Sequence, residues 1–354
     1  MVSNPFSLEF DVQPPKYIDR FVELSQVKDD FESPSPSSHI YAILGPSGCG
    51  KTVMLNEIAN SFSSKKDWII ANLNCKDNLL AQLASIIDGQ IKTVWEDLSS
   101  EFSFSYSFGT LTLRGREHIS SLPVLLERMF EVLRKHNIKV VALIDDIELN
   151  DYVAVFVKEY QSLRGKKLDV FLTMASTYPS FDRIQSCSGL TFLQRCQKIY
   201  LGPLDLNRIA ATFSDVLKIG MKEASVLAEF TKGYAFAFQC LGYILIKQEK
   251  TKLDDAVIAD FDYYLEEGVY IKLAEELTPK EKEIIAFLAI NGTASNQELF
   301  KAKILNEDNV SNFKQSLLRK GIIASGKRAT FELNLPRLGE FMLSHYPPLA
   351  RKYS

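Results

Sequence analysis

Residues Gly45-Pro46-Ser47-Gly48-Cys49-Gly50-Lys51-Thr52 stand between a short apolar run and an amphipathic one, an order that dictates strand, tight loop and helix. Upstream, His39 to Leu44 (HIYAIL) suits a buried strand. Downstream, Thr52 to Phe62 sets Val53, Leu55, Ile58 and Phe62 at helical spacing. Three glycines let the backbone curl until its N–H groups converge, forming an anion nest at the positive end of the helix. The string matches Gly-x-x-x-x-Gly-Lys-Ser/Thr, the loop that cradles nucleotide phosphates. The expected ligand is ATP, held by Gly45, Pro46, Ser47, Gly48, Cys49, Gly50, Lys51 and Thr52. Lys51 is expected to reach the β- and γ-phosphates and the Thr52 hydroxyl to ligate Mg²⁺. The bland alternative is a glycine-rich turn with an incidental lysine.

A second signature follows at a distance. Lys139 to Ile144 (KVVALI) reads as a buried strand ending in Asp145-Asp146, the pattern that delivers a carboxylate to the metal. Asp145 is the candidate metal ligand. Asp146 occupies the place of a general base for an attacking water, with Glu148 two residues on as a substitute. Either can act only within hydrogen-bond reach of that water, and the choice between them stays open.

Further buried strands are expected at Trp68–Leu73, Val170–Ala175 and Lys198–Leu201, alternating with helical sequence. The result is an α/β fold, a mostly parallel sheet covered on both faces with its ligand at the strand C-termini. Ser176-Thr177, just past the fourth strand, is placed either to sense the γ-phosphate or to cap the next helix. Residues 102–113 alternate about Gly109 as a β-hairpin does, and an insertion over 101–114 carries no assigned chemistry.

From Asp205 to Leu277 the pattern is wholly helical. Thr278 then begins a marked helix, with Thr as cap and Pro in the first turn, which Asn291-Gly292 ends. Helices over SNQELFKAK and EDNVSNFKQSLLRKG follow, and residues 322–335 read as two strands around Ser325-Gly326-Lys327-Arg328. Three helices and a wing describe a winged helix-turn-helix. Lys314, Arg319, Lys320, Lys327 and Arg328 are candidate phosphate contacts, so residues 307–328 are the expected face for duplex DNA. Protein docking is the alternative. Charge agrees with either: residues 277–354 hold 12 Lys and Arg against 7 Asp and Glu, while residues 1–276 hold 29 against 37.

The expected organisation is a core over 1–203, a helical lid over 204–276 and the winged module over 277–354. The N-terminus has neither the basic start nor the apolar stretch of a signal peptide, and no apolar run reaches membrane-spanning length, so a cytoplasmic location without membrane contact is expected. The five cysteines are scattered, with no Cys-x-x-Cys pair and no His cluster, which points away from a zinc site.

Taken together these segments resemble the AAA+-related ATPases of the archaeal-ATPase and STAND-like group. The resemblance implies that Tyr17-Ile18-Asp19-Arg20, leading into Phe21-Val22-Glu23-Leu24, borders an adenine pocket. It makes Leu201-Gly202-Pro203-Leu204 the entry to the lid. At Thr231-Lys232-Gly233-Tyr234-Ala235-Phe236 the relatives usually have Gly-x-Pro, so this chain departs at a position tied to lid closure. The resemblance also makes Arg195 a candidate arginine finger acting in trans, which implies self-association; a surface arginine is the alternative. Two expectations follow: a nucleotide-driven switch with ATPase activity, associated with DNA through the winged helix, or a slow signalling scaffold that docks a protein partner there.

Overall fold

The computed structural model describes residues 4–9, 13–94, 104–107, 110–113, 121–324 and 330–353. Two compact units divide the chain: one takes Met1–Asp19, Gly45–Gly50 and Tyr200–Ser354, the other Arg20–Leu44 and Lys51–Ile199. The octapeptide thus runs from the first unit into the second between Gly50 and Lys51.

The Arg20–Leu44 and Lys51–Ile199 unit carries the sheet. Its strands are β1 (Ile40–Leu44), β2 (Trp68–Leu73), β5 (Lys139–Ile144), β6 (Val170–Ser176) and β7 (Gln197–Tyr200), ordered β2-β5-β6-β1-β7. The remaining two strands, β3 (Phe104–Ser107) and β4 (Thr110–Leu113), pair antiparallel as a separate hairpin, with Phe104 opposite Leu113. Gly109, on which the hairpin expectation centres, lies outside the described residues. The pairs β2–β5, β5–β6 and β1–β6 are parallel, with Ala71 beside Ala142, Ala142 beside Leu172, and Ala42 beside Met174. Such strands read as unbroken apolar runs because both faces are covered, and Val140, Val141, Ala142 and Ile144 of β5 are fully buried.

Helices supply the cover. The first two are α1 (Phe21–Glu32) and α2 (Lys51–Ser63), and α2 buries Met54, Leu55, Ile58 and Phe62, so Met54 takes the inward place expected of Val53. On the opposite face, α3 (Leu79–Val94), α4 (Leu122–Lys135) and α5 (Asp151–Gly165) bury Leu83, Ile87, Met129, Phe130, Phe156 and Tyr160 in one apolar cluster. Each large side chain so buried contributes about 1.5–3 kcal/mol. A short helix, α6 (Tyr178–Ser186), and a 3₁₀ turn over Thr191–Arg195 lead into β7.

The other unit is mostly helical. Its N-terminal segment lies on the helices that follow the sheet: Phe6 packs tilted against Phe213 and edge-on against Phe238, and Gln239 joins Ser7 N–H to the Lys16 carbonyl. Those helices are α7 (Leu206–Leu217), capped by Asp205, then α8 (Met221–Phe230), α9 (Ala235–Lys247) and α10 (Asp255–Leu265). Within the wholly helical run expected from Asp205 to Leu277, the part after Asp254 divides into α10, a π-helical turn over Glu266–Tyr270 and the short α11 (Ile271–Glu275).

At the C-terminal end, α12 (Pro279–Asn291) opens with a full capping box between Thr278 and Glu281. After β8 (Thr293–Ser295) come α13 (Asn296–Lys301), α14 (Val310–Arg319), β9 (Thr330–Glu332), α15 (Leu338–His345) and α16 (Pro347–Tyr353). Among the described residues the expected pairing within 322–335 is present as an antiparallel bridge of Ile323 with Leu333, flanked by Ala324 N–H to the Glu332 carbonyl at 3.0 Å and Asn334 N–H to the Ile322 carbonyl at 2.8 Å. Beyond what was expected, β9 also pairs antiparallel with β8. A strand of three residues is too short to show alternation, and Ser295 doubles as the cap of α13, which is how it reads in sequence.

Candidate functional site

Two glycines of the octapeptide take φ values reserved almost entirely for glycine, +74° at Gly48 and +98° at Gly50. Crowding at Gly48 adds a second requirement. A Cβ there would lie 2.6 Å from the Tyr234 hydroxyl oxygen and 2.9 Å from Phe236 Cβ. Two carbonyls of the loop are engaged at this place: the Tyr234 hydroxyl donates to Ser47 O, and Phe236 N–H donates to Gly48 O at 3.0 Å. Within a trans peptide the C=O and the following N–H point oppositely, so the Gly48 N–H faces away from Tyr234. Pro46, two residues before Gly48, is approached from the C-terminal end: a Cβ on Gly321 would lie 2.8 Å from its ring. Cys49 is buried, and its N–H closes a turn onto the Pro46 carbonyl at 3.3 Å.

Lys51 and Thr52 open α2, and Lys51 is buried. The Thr52 hydroxyl donates to Asp145 Oδ2 at 2.5 Å, bringing the end of the octapeptide onto the carboxylate at the end of β5. The other oxygen, Asp145 Oδ1, accepts the Asp146 N–H at 2.9 Å. Asp146 itself is exposed and adopts a left-handed backbone, φ +43°, and Glu148 is exposed as well. Three contacts pin this turn. Ile147 N–H donates to the Ala175 carbonyl at 2.9 Å, the Cys75 thiol donates to the Asp146 carbonyl at 3.6 Å, and Asn150 Nδ2 donates to the Cys75 carbonyl at 2.8 Å. Burial pushes the Cys75 thiol up, so it stays a protonated donor.

A hydroxyl and a carboxylate are hard oxygen donors of the kind Mg²⁺ takes. Among the described residues no group of three or more His, Cys, Asp or Glu could hold a metal. Two protein donors suffice for an ion that keeps its waters and shares the oxygens of a substrate phosphate.

Of the remaining candidates, Ser176 is fully buried and donates to the Ile147 carbonyl at 2.9 Å, while Thr177 caps α6 by accepting Ser180 N–H. The capping alternative is therefore the one the geometry carries. Arg195 is exposed at the end of the 3₁₀ turn. Ala235 stands at the first position of α9, where proline is favoured for lacking an N–H; the helix starts there without it.

Of the basic residues over 307–328, Lys320 is withdrawn from any phosphate. Its ammonium binds the buried Glu281 carboxylate at 2.8 Å and the Glu276 carbonyl at 3.1 Å. Burial pushes Glu281 up, but hydrogen bonds from Lys320, Thr278 and Ser316 hold it below the usual carboxylate range. The Lys314 ammonium sits 5.2 Å from the Phe331 ring centre, and Arg319 is exposed. Lys327 and Arg328 lie outside the described residues.

Sequence reasoning did not single out Cys75, Asn150 or Phe236. Asn150 carried a signal, an Asn directly ahead of a periodic helix, and it does cap α5 by accepting Val153 N–H. Phe236 carried none, since a backbone N–H contact leaves no trace in residue type, and a scattered cysteine does not announce the distant carbonyl that its thiol meets.

No family model matches the chain, and no curated protein matches it. Solved structures do. A Walker-type ATPase of Pyrococcus abyssi, paby2304, aligns over 93% of this chain and 96% of its own, with TM-score 0.61 at 12% identity. The ORC2 protein of Aeropyrum pernix, in its ADPNP–ADP complexes, aligns over 97% of each chain with TM-score 0.56 at 13% identity. The chain has the fold of the AAA+-related P-loop ATPases.

Proposed function

We propose that this protein binds ATP with Mg²⁺ and works as a nucleotide-driven switch with ATPase activity. The observation that carries the reading is the meeting of Thr52 and Asp145, 2.5 Å apart at the two ends of separate sequence signatures. The nucleotide carried by the Aeropyrum pernix ORC2 structure supports it.

In this reading the N–H groups of the octapeptide take the β- and γ-phosphates, and Lys51 neutralises charge that develops on them. Thr52 and Asp145 are the residues that would hold Mg²⁺, which would supply Lewis-acid stabilisation of charge on the phosphates. Asp146 or Glu148 orients the attacking water, both being exposed beside the Asp145 carboxylate in sequence. Arg195 acts in trans on a second copy, as an exposed arginine must if it is to reach a neighbour. The division at residues 203 and 276 and the winged character of 277–354 belong to the same reading.

The test is direct. Lys51→Ala lowers ATP affinity at least tenfold in a fluorescent-nucleotide titration, and Asp145→Asn removes the strengthening that Mg²⁺ gives; undiminished affinity in both defeats the proposal. Asp146→Asn and Glu148→Gln, assayed for phosphate release at saturating ATP, identify the base by which one abolishes turnover. Loss of turnover in Arg195→Ala, restored by mixing with a Lys51→Ala partner, supports the finger in trans.

For the C-terminal module one observation favours docking of a protein over duplex DNA: the ammonium of Lys320 is bound to Glu281 and is not available to a phosphate backbone. Binding of duplex DNA at low salt, lost in the doubly reversed Lys327→Glu with Arg328→Glu, would restore the DNA reading.

A further inference from the structure

At the position where the resemblance expects Gly-x-Pro this chain has Gly233-Tyr234-Ala235, and Tyr234 and the following Phe236 both reach the phosphate-binding octapeptide. Tyr234 is buried, 5% exposed, and burial holds its phenol far above the usual range, so the hydroxyl is a donor at every working pH. The acceptor it meets is Ser47 O, and the next carbonyl, Gly48 O, takes the Phe236 N–H at 3.0 Å. Gly48 has room for neither a side chain nor a displacement toward the lid, with Tyr234 Oη 2.6 Å and Tyr234 Cζ 3.2 Å from its virtual Cβ. Around Gly50 the same helix start closes in more loosely, Ala235 Cβ lying 3.9 Å from a virtual Cβ.

An anion nest needs its N–H groups turned inward, which sends the intervening carbonyls outward. Left unpaired in a packed surrounding, those carbonyls would favour a flipped peptide. We infer that Tyr234 is a positioning residue for phosphate binding: its hydroxyl holds the Ser47 carbonyl outward and so orients the adjoining Gly48 N–H toward the phosphates, while the Phe236 N–H fixes the next carbonyl, Gly48 O, on the same side and the Cys49 N–H closes the turn onto Pro46. This chain thus sets its loop by a side-chain hydrogen bond in addition to the helix start. The inference rests on the nucleotide reading above.

The experiment is a titration of the full chain and of Tyr234→Phe with ADP, inorganic pyrophosphate and adenosine, with a thermal melt of each. Phenylalanine keeps the ring against Gly48 and removes only the donor. The expected result is a loss of roughly fivefold to tenfold for ADP and pyrophosphate, the worth of one neutral hydrogen bond, with adenosine affinity unchanged within about twofold. Phe236→Pro is the second variant. It removes the other donor in the first helical turn, where proline is tolerated, and is expected to weaken pyrophosphate binding in the same direction. A purely structural tyrosine would lower the melting temperature and all three affinities together, which overturns the inference. So does a Tyr234→Phe protein that binds ADP and pyrophosphate as the original does. Wild-type protein that binds neither ADP nor pyrophosphate overturns the nucleotide reading and this inference with it.

Discussion

Individual side chains here have been placed in surroundings that decide their protonation, and His39 is a clear case. Its ring stacks on Phe171 with centroids 4.9 Å apart. Burial and then the nearby Arg164 charge lower its pKa from 6.5 to about 4. The folded protein thus resists a proton that the unfolded chain accepts, so its contribution to stability is full above about pH 6.5 and declines as pH falls toward about 4. Replacing His39 by Phe, which keeps the stack, is expected to flatten the pH dependence of the melting temperature across that window. An unchanged slope would refute the assignment. Glu283 works at lower pH. Burial raises it, but hydrogen bonds from Lys280, Lys352 and Tyr353 bring it down to about 2 from 4.5, so its contribution is present above about 4.5 and is lost as pH falls through about 2.

Among the elements, α12 shows how a sequence signal becomes a boundary. Thr278 accepts the Glu281 N–H while Glu281 returns to the Thr278 N–H, and Pro279 fills the first turn. Thr278→Ala is expected to cost about 1 kcal/mol in a denaturant titration. The same Glu281 carboxylate binds Lys320, buried with it. Lys320→Met leaves that charge buried alone and is expected to cost about 3 kcal/mol, whereas Lys320→Met with Glu281→Gln recovers most of the loss. Equal costs for the single and double variants would show that the pair is not coupled. Caps were legible because they depend on residues three apart. The Lys320–Glu281 pair was not, since 39 positions separate the partners and a basic residue at a helix end also reads as solvent-facing or DNA-facing.

For the molecule as a whole, the unit that holds Gly45–Gly50 also holds the C-terminal segment, and it joins them through neighbouring contacts. Gly321 approaches Pro46, and the Lys232 ammonium donates to the Leu333 carbonyl at 2.8 Å. Ordering of the loop by a nucleotide should therefore reach this segment. ADP is expected to slow amide hydrogen exchange at Gly321–Ala324 and Leu333–Leu335 as well as within the loop; protection confined to the octapeptide would sink that expectation. No helix among the described residues is long and apolar enough to cross a membrane.

Local order sufficed for much of this protein. The strand-loop-helix at Gly45–Thr52, the strands at Trp68–Leu73 and Lys139–Ile144, the helical run after Asp205 and the caps are visible in residue order because burial and capping act over one or a few turns. Nearby residues could not reveal that Asp145 meets Thr52, that Lys320 is held by Glu281, that β9 pairs with β8, or that Tyr234 reaches Ser47. Each of those joins positions from 35 to 187 apart. Packing chooses such partners by shape and by the need of every buried polar group for a counterpart, and neither leaves a periodic mark in the chain.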